Sequence, residues 1–483
     1  MKKKFIYFSV VLLAANTSCK KYLEHLPDNR TELNSPEKVS QLLGTAYPQA
    51  NYMDFCESLS DNVADKGVGE QDISNANAYM YKDVTDNQQD SPEYYWNACY
   101  AAIAAANHAL EACNTAENPA DYQAQKGEAL VARAYAHFML VTLFSKVYDP
   151  ATASSDPGIP YVTEPEKVVI KHYERKTVAY VYEMIEKDLQ EGLPLLVDQK
   201  YAAPRYHFTK AAANAFAARF YLYKKEYTKV VEYASQVFTT SNITTLLRPW
   251  NTTYLTYTYR EMWAEYAKAS QPANLLLGET PSWWGRYYYS VRYGMTSAIR
   301  DEIFGSNVTG GTWAFRNHIY TAGTNNYMIP KINEYFVRNS VNASIGVGYI
   351  MVPLFTVEEV LFNKAEANNA LNNTNDALTD INSYASTRIV GYNSATHRIT
   401  ETKIKNFYGI SDLQEGILQT ILDFKRAEYA QEGMRWFDIL RHKIVITHST
   451  TEGDVIELGE NDLRRVLQIP ESAELSGVDL NPR

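Results

Sequence analysis

Cysteine, glycine and proline are scarce in this 483-residue sequence, and each shortage excludes a class of protein. Four cysteines cannot build a disulfide framework in a chain of this length, and no CxxC pair indicates a zinc or redox site. The 22 glycines and 18 prolines exclude collagen-like and low-complexity chains. We therefore expect a globular protein with a large hydrophobic core.

An excess of basic residues and the common catalytic motifs are also missing. The formal net charge is -10 and no cluster of basic residues marks a nucleic-acid interface, so we expect no nucleic-acid partner. The sequence has no GxSxG, HExxH, Walker or GxGxxG motif. The acidic segment 83–90 misses the EF-hand spacing, and we interpret it as a solvated loop. No motif therefore indicates a catalytic centre, and we expect no cofactor and no metal.

The N-terminal segment has the organisation of an export signal. Three lysines at positions 2–4 precede an apolar run over residues 5–15 and then small residues up to Cys19. The run is too short to span a bilayer permanently. A cysteine at this point resembles that of a bacterial lipobox, so we expect removal of residues 1–18 and anchoring of the protein in a membrane through lipidated Cys19. The alternative is an ordinary secretory peptide with a chance cysteine.

Apolar residues recur at three and four positions along much of the chain, which predicts amphipathic helices. The predicted helices cover residues 93–112, 122–144 and 177–192, with one pair within 209–239 and another within 355–388. Two short helices rich in alanine and aromatic residues within about 34 positions are typical of tetratricopeptide repeats. We predict a mostly α fold in which such helical pairs form a scaffold over residues 35–242 and 351–483.

Between these two parts, residues 243–350 lose the helical period and become rich in aromatic residues. Aromatics make up 13% of the chain, and five of the seven tryptophans fall in this segment. A loop-rich segment of this length is either functional or disordered, and its tryptophan content argues against disorder. We predict that residues 19–483 form one domain, with 243–350 as a large irregular insert that binds the ligand.

The candidate ligand-binding residues all lie in the insert. They are Trp283, Trp284, Arg286, Tyr287, Trp313 and Tyr320. Trp283 and Trp284 stand between a proline and a glycine, and Trp313 follows two glycines, which predicts rings at loop tips. Since neighbours on a strand point to opposite sides, we expect one of Trp283 and Trp284 to be exposed. Such rings stack on the apolar faces of sugars; the alternative is that they pack in the interior.

Several segments resemble the SusD/RagB family of outer-membrane nutrient-binding lipoproteins of Bacteroidetes. The resemblance begins with Cys19 and residues 20–27, continues through Trp96, Tyr100, Ile103 and Asn107, and then through Glu128, Ala129, Arg133, Ala134, Tyr135 and Phe138. Towards the C-terminus it includes Arg426, Glu428, Glu432, Gly433, Arg435, Trp436, Asp438, Arg441, residues 467–470 and residues 481–482. The stretch 145–150 departs from the family pattern, which places only a local loop in doubt. The matches follow the family order over nearly the whole chain.

The resemblance implies a noncatalytic, lipid-anchored protein exposed at the cell surface. Such proteins contain tetratricopeptide units, capture an oligosaccharide or polysaccharide and deliver it to a TonB-dependent barrel transporter in the outer membrane. In some branches of the family the ligand is a peptide. Arg286, Arg292 and Arg300 would supply a local basic pocket if the ligand were an acidic polymer.

Two further alternatives belong to other classes of protein. A helical glycoside hydrolase needs two carboxylates at a spacing of about 5 to 9.5 Å, which a sequence does not reveal. A protein-binding scaffold would use the helical repeats and bind no small ligand.

Overall fold

The computed structural model of the protein describes residues 32–168 and 171–483. The predicted export signal, the lipidation site Cys19 and the family-like segment 20–27 lie outside these residues. The helices are α1 (Pro36–Leu43), α2 (Met53–Ser58), α3 (Ile73–Tyr79), α4 (Pro92–Thr115), α5 (Gln123–Phe144), α6 (Val178–Gly192), α7 (Lys210–Lys224), α8 (Tyr227–Val237), α9 (Tyr259–Glu265), α10 (Trp284–Tyr287), α11 (Ser297–Phe304), α12 (Val357–Ala370), α13 (Thr374–Ser386), α14 (Ser394–His397), α15 (Glu401–Tyr408), α16 (Leu413–Glu428) and α17 (Met434–Arg441).

The strands are short and lie mostly in the second half of the chain. They are β1 (Ala64–Asp65), β2 (Asn274–Pro281), β3 (Tyr293–Gly294), β4 (Tyr320–Thr321), β5 (Tyr327–Met328), β6 (Glu334–Arg338), β7 (Gly346–Thr356), β8 (Ile446–Ser449) and β9 (Val455–Leu458). The largest sheet has the antiparallel order β2-β7-β6, and β1-β3, β4-β5 and β8-β9 are two-stranded.

The predicted helices are present, and their ends follow from local capping. α4 begins after Ser91, whose hydroxyl oxygen accepts a hydrogen bond from the backbone N–H of Tyr94 at 3.2 Å. Thr177 caps α6 in the same way, and that helix ends at Gly192. The predicted pairs within 209–239 and 355–388 are α7 with α8 and α12 with α13. The prediction of a mostly α fold is confirmed.

Consecutive helices pack against one another around a single large core. α4 packs on α5, α5 on α6, α7 on α8 and α12 on α13. The axes of α5 and α6 approach closely because Gly127 and Gly192 face each other: a Cβ on either would lie 2.8 Å from the carbonyl oxygen of the other. Cys56, Cys99 and Cys113 are free thiols buried in this core. In the part of the chain that the structure describes, no helix has the length and apolar character to cross a bilayer.

The sheet β2-β7-β6 has one face in the core and one face open to solvent. In its register Pro281 lies opposite Tyr349, and Tyr349 lies opposite Tyr335, so these three residues share a face. Ile350 and Val352, on the other face, are buried. The sheet thus presents a row of side chains at the molecular surface.

Candidate ligand-binding site

The two adjacent tryptophans at the end of β2 lie in different environments. The side chain of Trp283 is 37% exposed, whereas that of Trp284 is 3% exposed. The indole N–H of Trp284 donates a hydrogen bond to the backbone carbonyl of Gln431 at 3.2 Å. The prediction that one of the pair is exposed is confirmed. Trp283 is accessible to a ligand, and Trp284 is part of the core.

Trp313 does not lie at an exposed loop tip, so that expectation is wrong. Its side chain is 2% exposed and its ring meets Phe424 edge-on, with centroids 5.1 Å apart. The preceding turn packs tightly, since a Cβ on Gly311 would lie 2.3 Å from the side chain of Ile389. The chain at Gly311 therefore packs closely on the scaffold, and the indole of Trp313 lies in the interior.

The remaining predicted site residues are partly accessible, but the structure does not bring them all together. Tyr287 and Tyr320 are half-buried, and Tyr320 packs edge-on against Tyr259 with centroids 5.1 Å apart. Arg286 is exposed, and its Nε donates to a carboxylate oxygen of Glu334 at 2.8 Å. Of the predicted set, Trp283 is thus the aromatic ring that is most open to solvent.

The structure instead gathers aromatic side chains on the open face of the sheet. The rings of Tyr335 and Tyr349 are stacked, with centroids 5.9 Å apart and an interplanar angle of 23°. Tyr349 lies close enough to Tyr94, at the start of α4, to raise the pKa of the Tyr94 hydroxyl, and Tyr206 lies close enough to Tyr335 to raise the pKa of the Tyr335 hydroxyl. The backbone N–H of Trp283 donates a hydrogen bond to Asp90, whose charge also raises the pKa of Tyr94, so Trp283 lies beside these tyrosines. We name Trp283 and the four tyrosines the aromatic face.

The phenol groups of Tyr335 and Tyr94 stay protonated at neutral pH, because the pKa of each is raised. Burial, followed by the nearby Glu279 carboxylate, raises the pKa of Tyr335. Burial, followed by the charges of Tyr349 and Asp90, raises the pKa of Tyr94. Protonated phenols donate and accept hydrogen bonds, so the face combines apolar ring surface with polar groups that suit hydroxyl-rich ligands.

Asp90 holds the backbone of Trp283 in place. It lies at a positive φ of 68° and is 5% exposed. Its carboxylate accepts hydrogen bonds from Asn51 Nδ2 at 2.7 Å, from Ser282 Oγ at 2.7 Å, and from the backbone N–H groups of Trp283 and Trp284 at 2.6 and 3.2 Å. The interpretation of Asp90 as part of a solvated loop is therefore wrong. The carboxylate fixes the Trp283 turn against the start of α4.

Sequence reasoning missed Tyr94, Tyr206, Tyr335 and Tyr349. The alternation of side chains in β6 and β7 was the available signal, because it predicts that Tyr335 and Val337 share one face. Alternation does not tell which face the scaffold covers. That depends on the packing of Ile350 and Val352 against segments remote in the chain.

In the described part of the chain, a large cleft elsewhere in the scaffold lacks aromatic side chains. A cleft of about 820 Å³ between α4, α5 and α6 is lined by charged and aliphatic residues, among them Lys126, Arg133, Lys167 and Asp188, with no aromatic side chain among the described residues. Within residues 32–168 and 171–483, no three histidine, cysteine, aspartate or glutamate side chains are arranged to hold a metal ion.

Two family models match consecutive parts of the chain. Residues 21–222 match a SusD-like model described as starch-binding and associating with the outer membrane, and residues 280–472 match the model of the SusD family. The two matches follow each other in the order that the sequence resemblance predicted. The chain belongs to the SusD/RagB family, a family of carbohydrate-binding proteins associated with the outer membrane.

Solved structures of SusD-like proteins share the fold. A SusD superfamily protein from Bacteroides fragilis is 19% identical, with a TM-score of 0.69 over 93% of this chain and 99% of that one. A putative sugar binding protein from Bacteroides vulgatus is 19% identical, with a TM-score of 0.68 over 94% and 99%. A laminarin binding SusD-like protein is 16% identical, with a TM-score of 0.61 over 94% and 99%. No curated protein matches the chain.

Proposed function

We propose that the protein captures an oligosaccharide or polysaccharide on the aromatic face without altering it. The observation that carries this proposal is the stacked pair Tyr335 and Tyr349 on the open sheet face, with exposed Trp283 two residues beyond Pro281, the register partner of Tyr349. Flat rings match the apolar C–H faces of sugars, and the phenols and Glu279 suit the hydroxyl groups. Membership of a carbohydrate-binding family and the laminarin binding relative support the assignment.

The same proposal includes the location of the protein and its partner. Residues 1–18 are removed on export, lipidated Cys19 anchors the protein in the outer membrane, and the bound glycan passes to a TonB-dependent barrel transporter. The lipobox-like sequence and the outer-membrane description of the family support this part. Residues 19–483 act as one domain, in which residues 243–350 and the start of α4 build the binding surface on the helical scaffold.

The experiment that tests glycan capture compares Trp283→Ala and Tyr335→Ala with the unchanged protein. We expect each substitution to weaken glycan binding by about tenfold or more, because truncating an exposed stacking ring removes a hot spot of the interface. Binding is measured by isothermal calorimetry and by the change in tryptophan fluorescence. Trp313→Phe is the matched control, since its ring is buried and away from the face.

Unchanged affinity in both Trp283→Ala and Tyr335→Ala, with normal helical circular dichroism, would show that sugar does not bind here. Release of reducing ends from the bound glycan by the purified protein would contradict binding without catalysis. The structure gives hydrolysis no support at this site: Glu279 and Glu334 lie opposite Met351 and Ile350, so the two carboxylates belong to opposite faces of the sheet.

A peptide ligand is the second candidate, and the edge of the sheet favours it. β6 is an edge strand of β2-β7-β6, and its Phe336 and Val337 are 48% and 47% exposed. An unpaired strand edge accepts an extended peptide through main-chain hydrogen bonds. Binding of a peptide library in preference to glycans, with protection of the β6 amides from hydrogen exchange, would establish this alternative.

A further inference from the structure

The arginines of the insert do not form a basic pocket. Each is paired with a carboxylate: Arg286 with Glu334, Arg292 with Asp65 at 2.7 Å and Arg300 with Asp301 at 2.7 Å. Arg292 also contacts Glu452 at 2.9 Å. Their charges are neutralised locally, so they are not available to an acidic polymer. The sequence-based hypothesis of a basic pocket for such a polymer is wrong.

An acidic side chain, in contrast, stands on the aromatic face itself. Glu279 is exposed and pairs in register with Met351, two residues along β7 from Tyr349, which places it on the open face. Its carboxylate lies close enough to the Tyr335 hydroxyl to raise the pKa of that group. Glu334, the partner of Arg286, lies opposite Ile350 and belongs to the other face.

The charged groups that act on the face are acidic. The carboxylate of Glu279 raises the pKa of the Tyr335 hydroxyl, and the carboxylate of Asp90 raises that of the Tyr94 hydroxyl; the other contributing groups are neighbouring tyrosines. Two arginines stand nearby in the sequence. Arg205 precedes Tyr206 in a turn that packs on β2, but in the part of the chain that the structure describes no ion pair joins its guanidinium to Glu279. Arg338 is exposed, and the alternation of β6 places it with Glu334 and Phe336 on the face opposite to that of Tyr335.

We propose that the aromatic face selects uncharged glycans and excludes those that carry carboxylate or sulfate groups. The inference rests on the proposed function and names its class of ligand. A ligand carboxylate that stacks on Tyr335 or Tyr349 would lie well within one Debye length, about 8 Å at physiological salt, of Glu279. Hydroxyl groups of a neutral sugar instead donate hydrogen bonds to Glu279 and gain from its charge.

The test measures binding to three neutral polysaccharides, laminarin, soluble starch and galactomannan, to anionic polygalacturonate and to cationic chitosan. We expect at least one neutral polymer to bind with an affinity that Trp283→Ala lowers about tenfold, and polygalacturonate to bind at least about tenfold more weakly than that polymer. Raising the salt concentration from 50 to 500 mM should narrow this difference, because salt screens the repulsion.

Glu279→Lys is the decisive variant. It should raise the affinity for polygalacturonate about tenfold or more at low salt, since it converts repulsion into attraction. Glu183→Lys makes the same charge change at an exposed position of α6 and should leave that affinity unchanged. Glu279→Gln keeps the shape of the side chain but removes its charge, and it should weaken binding of the neutral polymer by about fivefold, because the sugar hydroxyls then donate to a neutral acceptor.

Two results would overturn the selectivity and leave glycan capture standing. One is Trp283-dependent binding of polygalacturonate as tight as that of the neutral polymers. The other is tighter binding of chitosan than of any neutral polymer, abolished by Glu279→Gln. Absence of Trp283-dependent binding to all five polymers would remove the proposed function together with this inference.

Discussion

At the scale of single residues, a buried carboxylate controls the position of an exposed ring. Asp90 is shielded from water, so it depends on its four hydrogen bonds for compensation of its charge. Two of these donors are the backbone N–H groups of Trp283 and Trp284. The Trp283 indole is thus presented from a fixed turn, which reduces the entropy lost when a ligand stacks on it.

Asp90→Asn tests this role. Asparagine tolerates the left-handed backbone of residue 90, but its amide replaces one acceptor oxygen with a donor that faces N–H or O–H groups. We expect the free energy of unfolding to fall by about 1 to 3 kcal/mol in urea denaturation. Glycan affinity should fall as well, although Asp90 is covered by the Trp283 turn.

Asp479→Asn provides the control, because Asp479 is exposed near the C-terminus. It should change neither stability nor affinity. Full stability and full affinity in Asp90→Asn would show that the four hydrogen bonds do not position Trp283.

The observed environments of the tryptophans show how much of the structure at this scale could be predicted from the sequence. One of Trp283 and Trp284 is exposed as predicted, but the strand argument behind that prediction does not apply, because β2 ends at Pro281 and Trp284 begins α10. The environment of Trp313 could not be derived, since Phe424 and Ile389 cover it and lie far along the chain. Glycines before a tryptophan are compatible with an exposed tip and equally with a tight approach to the core.

At the scale of elements, helices were predictable and the sheet was not. Helical period and caps are local, so α4 to α8, α12 and α13 follow from the sequence. β2 pairs with a strand about 70 residues away, with its register set by the covered residues of β7. The aromatic face depends on that register, which explains why its tyrosines were missed.

Buried ion pairs hold these elements together. Arg388, after α13, contacts Glu358 of α12 at 2.9 Å and Glu428 of α16 at 2.7 Å. Arg248 contacts the second carboxylate oxygen of Glu358 at 2.9 Å. All four side chains are fully buried, so each charge relies on its partners instead of water.

Glu358→Gln should therefore be strongly destabilising. It keeps the volume of the side chain but leaves two buried guanidinium groups with one carboxylate, and we expect a loss of about 3 to 5 kcal/mol of unfolding free energy. Chemical denaturation followed by circular dichroism measures the loss. Asp301→Asn breaks the exposed pair with Arg300 and should cost less than about 1 kcal/mol. Equal losses in the two variants would contradict the importance of burial.

At the scale of the whole molecule, stability depends on pH through a buried acid between two distant segments. Glu57 of α2 is 2% exposed and accepts hydrogen bonds from the backbone N–H groups of Gln431 at 2.7 Å and Gly433 at 3.0 Å. Burial raises its pKa to about 7, although these hydrogen bonds oppose the shift. The backbone carbonyl of Gln431 also accepts the hydrogen bond that the Trp284 indole donates. The segment around Gln431 therefore connects α2 with the insert.

The sign of the effect follows from the raised pKa. Below the pKa of an unfolded glutamate, about 4.3, both states bind the proton and Glu57 imposes no penalty. Between about 4.3 and about 7 the folded state retains a proton that the unfolded state has released. The free energy of unfolding therefore falls as the pH rises through this range, and the loss is complete above about 7. We expect Glu57 to remove about 3 kcal/mol between pH 4 and pH 8.

The measurement is the difference in unfolding free energy between the unchanged protein and Glu57→Gln across this pH range. The difference should shift in favour of the variant as the pH rises, whatever its value at pH 4. Glu471→Gln removes an exposed carboxylate and serves as the control. A difference that stays constant with pH would show that Glu57 does not titrate in this window.

The sheet that carries the aromatic face is only three strands wide, which has a consequence for long polymers. Adjacent strands lie about 4.8 Å apart, so the rings span a short stretch of a polysaccharide and leave most of the chain free. With the proposed lipid anchor, many copies can then attach to one polymer at once. Retention at the cell surface should therefore rise steeply with the crowding of the protein there, because each added attachment multiplies the avidity.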